Sequence, residues 1–182
     1  MDSEKTVLIT GASTGIGLAI ARALCKTQYR VVLTARPSSL ARFDMHEVEE
    51  SARVRIRALD VTDAEQREAL VAEAERDWGG IDVLINNAGV SYRAVVEHVV
   101  EEERLAQMNV NFRSPMEMIR LVLPAMRQKR AGRIITISSV GGMMAMPTMA
   151  AYSASKFALE GAHEALWYEV RPWGVRVSLV QP

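Results

Sequence analysis

Thr10-Gly11-Ala12-Ser13-Thr14-Gly15-Ile16-Gly17 joins an apolar, β-branched run that begins at Thr6 to a helical pattern with Ile16, Ile20, Ala23 and Leu24 on one face. Glycines at a strand-to-helix junction let the backbone turn sharply and pass close to a pyrophosphate, whose charge then meets free N–H groups at the helix N-terminus. The spacing here is Gly-x-x-x-Gly-x-Gly. It departs from the general Gly-x-Gly-x-x-Gly fingerprint, but its place after the first strand and before the first helix meets the structural context that the fingerprint demands. The alternative reading is an ordinary turn.

Working outward, further strand-like runs occur at Arg30 to Thr34, Val54 to Leu59, Ile81 to Asn86, Arg133 to Ser138 and Val175 to Val180. Helical patterns separate them. One starts at Thr62-Asp63-Ala64-Glu65, at capping-box spacing, and carries Leu70, Val71, Ala74 and Trp78 up to Gly79-Gly80. A longer one has Met116, Ile119, Leu123 and Met126 as its apolar stripe, Pro115 near its start and Pro124 as an expected kink. The last runs from about Ala151 to Arg171 and is closed by Pro172, while Pro37 to Ser51 reads as a loop with a short helix. Strand-helix alternation throughout predicts an α/β fold, a doubly wound parallel sheet with right-handed crossovers and helices on both faces. With 182 residues, 49% of them hydrophobic, the chain fits a single domain over residues 1–182.

Composition excludes several function classes. Twenty-two basic and twenty-two acidic residues balance to a formal charge of zero, so the electrostatic footprint of a nucleic-acid binder is missing. Arg127, Lys129, Arg130 and Arg133 read as the basic C-terminal end of a helix. Cys25 is the only cysteine, which rules out an internal disulfide and suits a reducing compartment. Met1-Asp2-Ser3-Glu4-Lys5 leads directly into the first strand without a long apolar segment, and no apolar stretch reaches membrane-spanning length. The expectation is a cytoplasmic protein. His46, His98 and His163 lack ligand spacing and read as surface or satisfied helix residues, so no metal site is expected.

The strand ends carry polar residues that face one crevice, because ligands of an open parallel sheet bind beyond the carboxyl ends of its strands. After the second strand, Ala35-Arg36 stands where an NAD-binding chain places an acidic residue on the ribose hydroxyls, and an arginine there suits a 2′-phosphate. Asp60, followed by Val61, can accept from an adenine amino group or simply begin a helix; Asn86-Asn87-Ala88-Gly89 can admit the adenosine closely or form an Asx turn. In Tyr152-Ser153-Ala154-Ser155-Lys156 a phenol and an ammonium lie four residues apart, on one helix face. A neighbouring ammonium favours the ionised phenol, which makes such a pair a proton donor and acceptor near neutral pH. Ser139, thirteen residues earlier, supplies a hydroxyl to hold a substrate oxygen.

Taken in order, Thr10 to Gly17, Asp60-Val61, Asn86 to Gly89, Val110-Asn111, Ser139 and Tyr152 to Lys156 resemble the motifs of the short-chain dehydrogenase/reductase family, in its compact branch, over nearly the whole chain. The resemblance implies a Rossmann-like fold and a hydride transfer between a nicotinamide coenzyme and a carbonyl or secondary alcohol. It implies coenzyme binding by Gly11, Ser13, Thr14, Gly15, Ile16, Gly17, Arg36, Asp60, Val61, Asn87, Ala88 and Gly89 together with Tyr152 and Lys156. NADP(H) is favoured by Arg36, with NAD(H) as the alternative. Tyr152 takes the role of general acid/base, Ser139 polarises the substrate oxygen and, with Tyr152, binds substrate; Lys156 acts on the phenol and on the ribose, and Asn111 is similar to the family asparagine that holds a proton-relaying water. Ser138 is set aside, because strand alternation sends it to the opposite face.

Met143, Met144, Met146 and Met149 lie between Ser139 and Tyr152, in a segment that borders the substrate in this family, and point to a hydrophobic carbonyl or alcohol substrate. The family also pairs through its two longest helices, here Met116 to Met126 and Phe157 to Val170, where Ala158, Ala162 and Ala165 form a small-residue face; a homo-oligomer is therefore expected. The sequence stops at Gln181-Pro182, straight after the sixth strand, where family members continue into a coenzyme-touching loop, a lid and a last helix and strand. The expectation is a C-terminally incomplete domain lacking that lid and last strand. The rival function is a nucleotide-binding or interaction module without turnover.

Overall fold

The computed structural model describes residues 4–182; the bare start read at Met1, Asp2 and Ser3 lies outside them. Six strands, β1 (Thr6–Ile9), β2 (Arg30–Ala35), β3 (Val54–Ala58), β4 (Val83–Asn86), β5 (Gly132–Ile137) and β6 (Val175–Val180), form one sheet in the order β3-β2-β1-β4-β5-β6. All neighbours pair in parallel. The order reverses at β1, between β2 and β4, and such a switch point opens a crevice at the strand ends.

Alternate residues of the central strands divide the core between two faces. Leu8, Val32, Leu84 and Ile134 pack under helices α3 (Ala64–Trp78), α5 (Ser114–Lys129) and α6 (Ala150–Val170). Val7, Ile9, Val31, Leu33 and Ile85 pack under α1 (Gly15–Cys25) and α2 (Ala41–Met45). This is the expected doubly wound fold. Among the described residues, no helix is long and apolar enough to cross a membrane.

Three helices sit differently from their sequence pattern. In α1 the buried residues are Gly17, Leu18 and Ala21, while Ile16 is 46% exposed and Ala23 is also exposed. The helix is turned because Gly17, without a side chain, comes against the Gly11 carbonyl and takes that face to the loop. The cap of α3 falls one residue later than expected: Asp63, not Thr62, accepts from the Gln66 N–H at 3.1 Å. Gln66 then reaches back to the Asp60 N–H at 2.8 Å, which ties the helix start to the tip of β3. In α5 the fully buried stripe is Met118, Ile119, Val122 and Met126; Met116 and Leu123 are half-buried flanks, and Pro124 is exposed in a helix that continues to Lys129. Of the basic cluster at its end, Lys129 pairs with Asp82 at 3.0 Å and Arg127 stacks on Trp173.

A further helix, α4 (Glu101–Met108), runs directly into α5 through a π-helical turn over Asn109–Arg113. Asn111 is therefore not a cap at a helix start. It sits inside a continuous helical path, in the wide turn that often marks functional positions in helices.

Candidate active site

A cavity of about 720 Å³ opens at the carboxyl ends of the strands, where the residues singled out from sequence converge. Gly11, Ser13, Thr14 and Ile16 line it from the first loop, Arg36 from the end of β2, Asp60 and Val61 from β3, Asn87, Ala88 and Gly89 from β4, Ser139 from beyond β5, and Tyr152 and Lys156 from α6. Gly15, Gly17 and Asn111 do not line it; Gly17 and Asn111 are buried beside it, and Gly15 is exposed.

The first loop is shaped for a group that must come close to backbone. Gly11 has φ +67°, and a Cβ there would meet the Ala88 Cα at 2.9 Å. A Cβ at Gly17 would collide with the Gly11 carbonyl and with Asn87 Nδ2. Asn87 holds the loop from the far side, its Nδ2 donating to the carbonyls of Thr10 at 3.0 Å and Gly11 at 2.8 Å. Buried Thr10 completes the clasp, because its Oγ1 accepts from the N–H groups of Asn87 and Ala88. Thr14, at the N-cap of α1, makes no side-chain capping bond, so first-turn N–H groups stay available at the positive end of the helix. These features fit a pyrophosphate.

Arg36 is exposed at the rim, and Arg42 of α2 lines the same end of the cavity. Arg42 carries no motif signal, because it lies in the short helix that sequence placed only loosely within Pro37 to Ser51. Asp60 keeps one carboxylate oxygen busy, its Oδ1 accepting from the Thr62 N–H at 2.9 Å and the Thr62 hydroxyl at 2.7 Å.

At the other end, Lys156 is only 5% exposed and its Nζ donates to the Ile137 carbonyl at 2.9 Å. The ammonium lies 5.9 Å from the centre of the Tyr152 ring. Burial lowers its pKa to about 8, with Glu160 opposing the shift, so it is mostly charged at neutral pH but releases its proton readily. Ser139 Oγ accepts from the Gly141 N–H at 3.1 Å, and a Cβ on Gly141 would come within 3.1 Å of the Tyr152 ring. Gly141 thus lets the phenol and the serine share one corner.

Asn111 reaches this corner through α6. Its Nδ2 donates to the Val90 carbonyl at 2.9 Å and to Ser155 Oγ at 3.0 Å, its Oδ1 accepts from the Val90 N–H, and the Ser155 hydroxyl donates to the Tyr152 carbonyl at 2.7 Å. Ser155, fully buried, was visible only as an intervening residue of the Tyr-Lys motif; its place three residues after Tyr152, on the inner face, was the available signal. Ser138 is buried, has no hydrogen-bond partner at Oγ and lines the cavity floor. Its N–H donates to the Val180 carbonyl of β6 at 2.8 Å, so the β5–β6 ladder still reaches it. None of Met143, Met144, Met146 and Met149 lines the cavity: the first three are 64%, 59% and 39% exposed and Met149 is buried beneath them. Met143, Met144 and Met146 are exposed outside this cavity, and none of the four methionines forms part of its wall.

Comparisons with known proteins agree with this geometry. The family model of the short chain dehydrogenases matches residues 5–182. A 3-ketodihydrosphingosine reductase of Bacteroides thetaiotaomicron is 43% identical over 178 residues, covering 98% of this chain and 63% of that protein. The chain thus spans less than two thirds of the length of this relative. Among solved structures, a short-chain dehydrogenase from Streptomyces avermitilis superposes with a TM-score of 0.93 at 36% identity, over all of this chain and 66% of that one. A metagenomic short-chain oxidoreductase in complex with NADP does so with a TM-score of 0.90 at 36% identity, over 98% of this chain and 81% of that one. A glycine loop clasped by Asn87, a buried lysine behind a phenol, and matches that run from one end of the described chain to the other place it in the short-chain dehydrogenase family.

Proposed function

We propose that the chain binds a nicotinamide coenzyme, NADP(H) in preference to NAD(H), and interconverts a carbonyl and a secondary alcohol on an apolar substrate. The observation that carries this reading is the buried Lys156, held with a pKa of about 8 beside the Tyr152 ring at the mouth of a crevice built for a dinucleotide. The coenzyme supplies or accepts a hydride at the substrate carbon. Tyr152 gives its phenolic proton to the substrate oxygen in reduction and takes it back in oxidation, and Ser139 Oγ holds that oxygen. Lys156 keeps positive charge near the phenol and can pass a proton on, and Asn111 holds the first turn of α6 through Ser155.

The preference for NADP(H) rests on Arg36 and Arg42. Both line the rim where a ribose 2′-phosphate would lie, and among the described residues neither makes an ion pair. An apolar substrate is supported by the exposed apolar side chains of Tyr92 and Val95, in the loop after β4, and of Met143 and Met144, in the segment after Ser139. Titrating the purified chain with NADPH and with NADH, and following NADPH oxidation with lipophilic ketones, tests the reading. Tyr152→Phe is expected to lower turnover by about 10²–10⁴-fold while leaving coenzyme affinity within about twofold. Tighter binding of NADH would refute the coenzyme preference. Coenzyme binding without turnover on any ketone would make the chain a nucleotide-binding module instead.

A further inference from the structure

His163, on α6, is 1% exposed and touches neither the crevice nor the coenzyme side of the sheet's end. Its ring bridges two elements. Nδ1 lies 2.8 Å from the Leu159 carbonyl, and Nε2 lies 2.7 Å from Thr136 Oγ1 on β5. A carbonyl only accepts, so Nδ1 carries the proton, and Nε2 is the acceptor for the Thr136 hydroxyl. Thr136 in turn is the register partner of Asn86 on β4, whose Nδ2 lies 3.5 Å from Thr136 Oγ1.

The placement of this bridge matters more than its burial. Lys156 and His163 are seven residues, two helical turns, apart and share the face of α6 that meets β5. Lys156 bonds the Ile137 carbonyl and His163 bonds Thr136, two and three residues before Ser139. The other buried side chains along this face from Leu159 onward are Leu159, Leu166 and Val170, whose non-directional contacts tolerate small shifts along the helix axis. An open groove of about 260 Å³ beside them, lined by His163, Glu164, Trp167, Tyr168, Val177 and Leu179, leaves this flank of α6 partly facing solvent. A buried, directional hydrogen bond can fix a register that apolar packing leaves loose.

We propose that His163 is a positioning residue that, as the neutral Nδ1–H tautomer, pins α6 to β5 through Thr136 and so fixes Tyr152 and Lys156 over Ser139. The proposal rests on the catalytic reading above. Burial lowers the His163 pKa from its ordinary value, against the opposing charge of Glu160 on the same helix. Glu164 is its other acidic neighbour on α6, whereas Asn86, Thr136, Val177 and Leu179, which approach from β4, β5 and β6, carry no charge. The ring is therefore neutral at pH 7 and free to accept.

The test combines readouts that do and do not need turnover. Nitrogen-15 NMR of the wild-type chain at pH 7 should show the Nδ1–H tautomer; an Nε2–H tautomer overturns the proposal. His163→Leu and Thr136→Val should each raise the titration midpoint of Lys156, followed by its ¹³Cε shift, and lower kcat with lipophilic ketones by about 10- to 100-fold at a KM and coenzyme affinity within about twofold. His163→Gln, whose amide oxygen can accept the Thr136 hydroxyl, should recover most of both. Should His163→Leu fail to fold, Thr136→Val and His163→Gln carry the decision. Variants that are merely less stable, with an unchanged Lys156 midpoint and kcat, leave His163 a structural residue and sink the idea. If the wild type binds coenzyme but turns over no ketone, the catalytic reading fails, while the tautomer and the Lys156 titration still judge the pin.

Discussion

The two ends of the charge distribution in this molecule follow opposite rules. Along the outer flank of β3, Arg55 and Arg57 stand over Glu73 and Asp77 of α3, with ion pairs of 2.8 Å from Arg57 to Glu73 and from Arg55 to Asp77. Arg57 also meets Glu50 at 2.8 Å, and Arg55 stacks 4.1 Å above the centre of the Trp78 ring. In the crevice, Lys156 is buried with a phenol and a carbonyl for neighbours and no carboxylate within ion-pair distance among the described residues. The flank settles its charges by pairing; the crevice keeps one unsettled. Hydrogen bonding from Arg57 holds the Glu73 carboxyl below its ordinary range, and Arg55 does the same for Asp77, whereas burial moves Lys156 toward its neutral form. Paired charges on an edge strand deter sheet-to-sheet association and add little stability. An uncompensated buried lysine reduces stability and keeps a proton mobile, and this supports the proposed role of Lys156.

The sharpest way to break the contrast is Lys156→Met. It should abolish most turnover, by about 10²–10⁴-fold, and at the same time stabilise the chain at pH 7 by about 1–2 kcal/mol, read as a higher denaturant midpoint. The sign follows from linkage. The folded chain releases the Lys156 proton near pH 8 and the unfolded chain near 10.5, so the wild type gains stability as pH rises between those values, by on the order of 3 kcal/mol. The variant should lose that slope relative to wild type. A variant that is less stable than wild type would show that the ammonium supports the fold.

Gly17→Ala asks whether the other half of the crevice is equally tight. The added methyl must displace the Gly11 carbonyl or Asn87, so unfolding free energy should fall by about 1–3 kcal/mol and coenzyme binding should weaken with it. Unchanged thermal and binding midpoints would mean that the loop yields.

On the flank, Glu73→Gln should cost only about 0.5–1 kcal/mol, and less at high salt. Because the folded carboxyl titrates below the unfolded one, its contribution is present above the ordinary carboxylate pKa and disappears as pH falls through the lowered folded value. A loss larger than that of Gly17→Ala would reverse the comparison.

The elements that sequence located well are those whose signal is local. The six β-branched runs became six strands with ends shifted by two residues or fewer, and the crevice residues at their tips follow from parallel topology. The misread elements depend on approach between distant parts. Ile16 looked like a core residue of α1, yet contact between Gly17 and Gly11 turns it outward into the crevice rim. The methionines after Ser139 have the composition of a pocket wall, but Met143, Met144 and Met146 are exposed and Met149 is buried away from the cavity. Nothing in Asn109 to Arg113 announces a π-helical turn, because that turn arises where α4 and α5 join into one path. His163 read as a surface or satisfied helix residue, and it is buried and hydrogen-bonded; only the partner across the sheet, Thr136, gives it a proposed role.

By itself, then, the sequence determined six strands in chain order, the parallel doubly wound class and the identities of the polar groups at the strand ends, since these depend on periodicity, glycine freedom and side-chain chemistry along short stretches. Tertiary structure alone decided the sheet order with its switch at β1, which face of each helix is buried, that Asn111 bonds Ser155, and that Lys156 is stripped of water enough to titrate near pH 8. Those properties come from desolvation and from hydrogen bonds between residues far apart in the chain, and neither is written in any one segment.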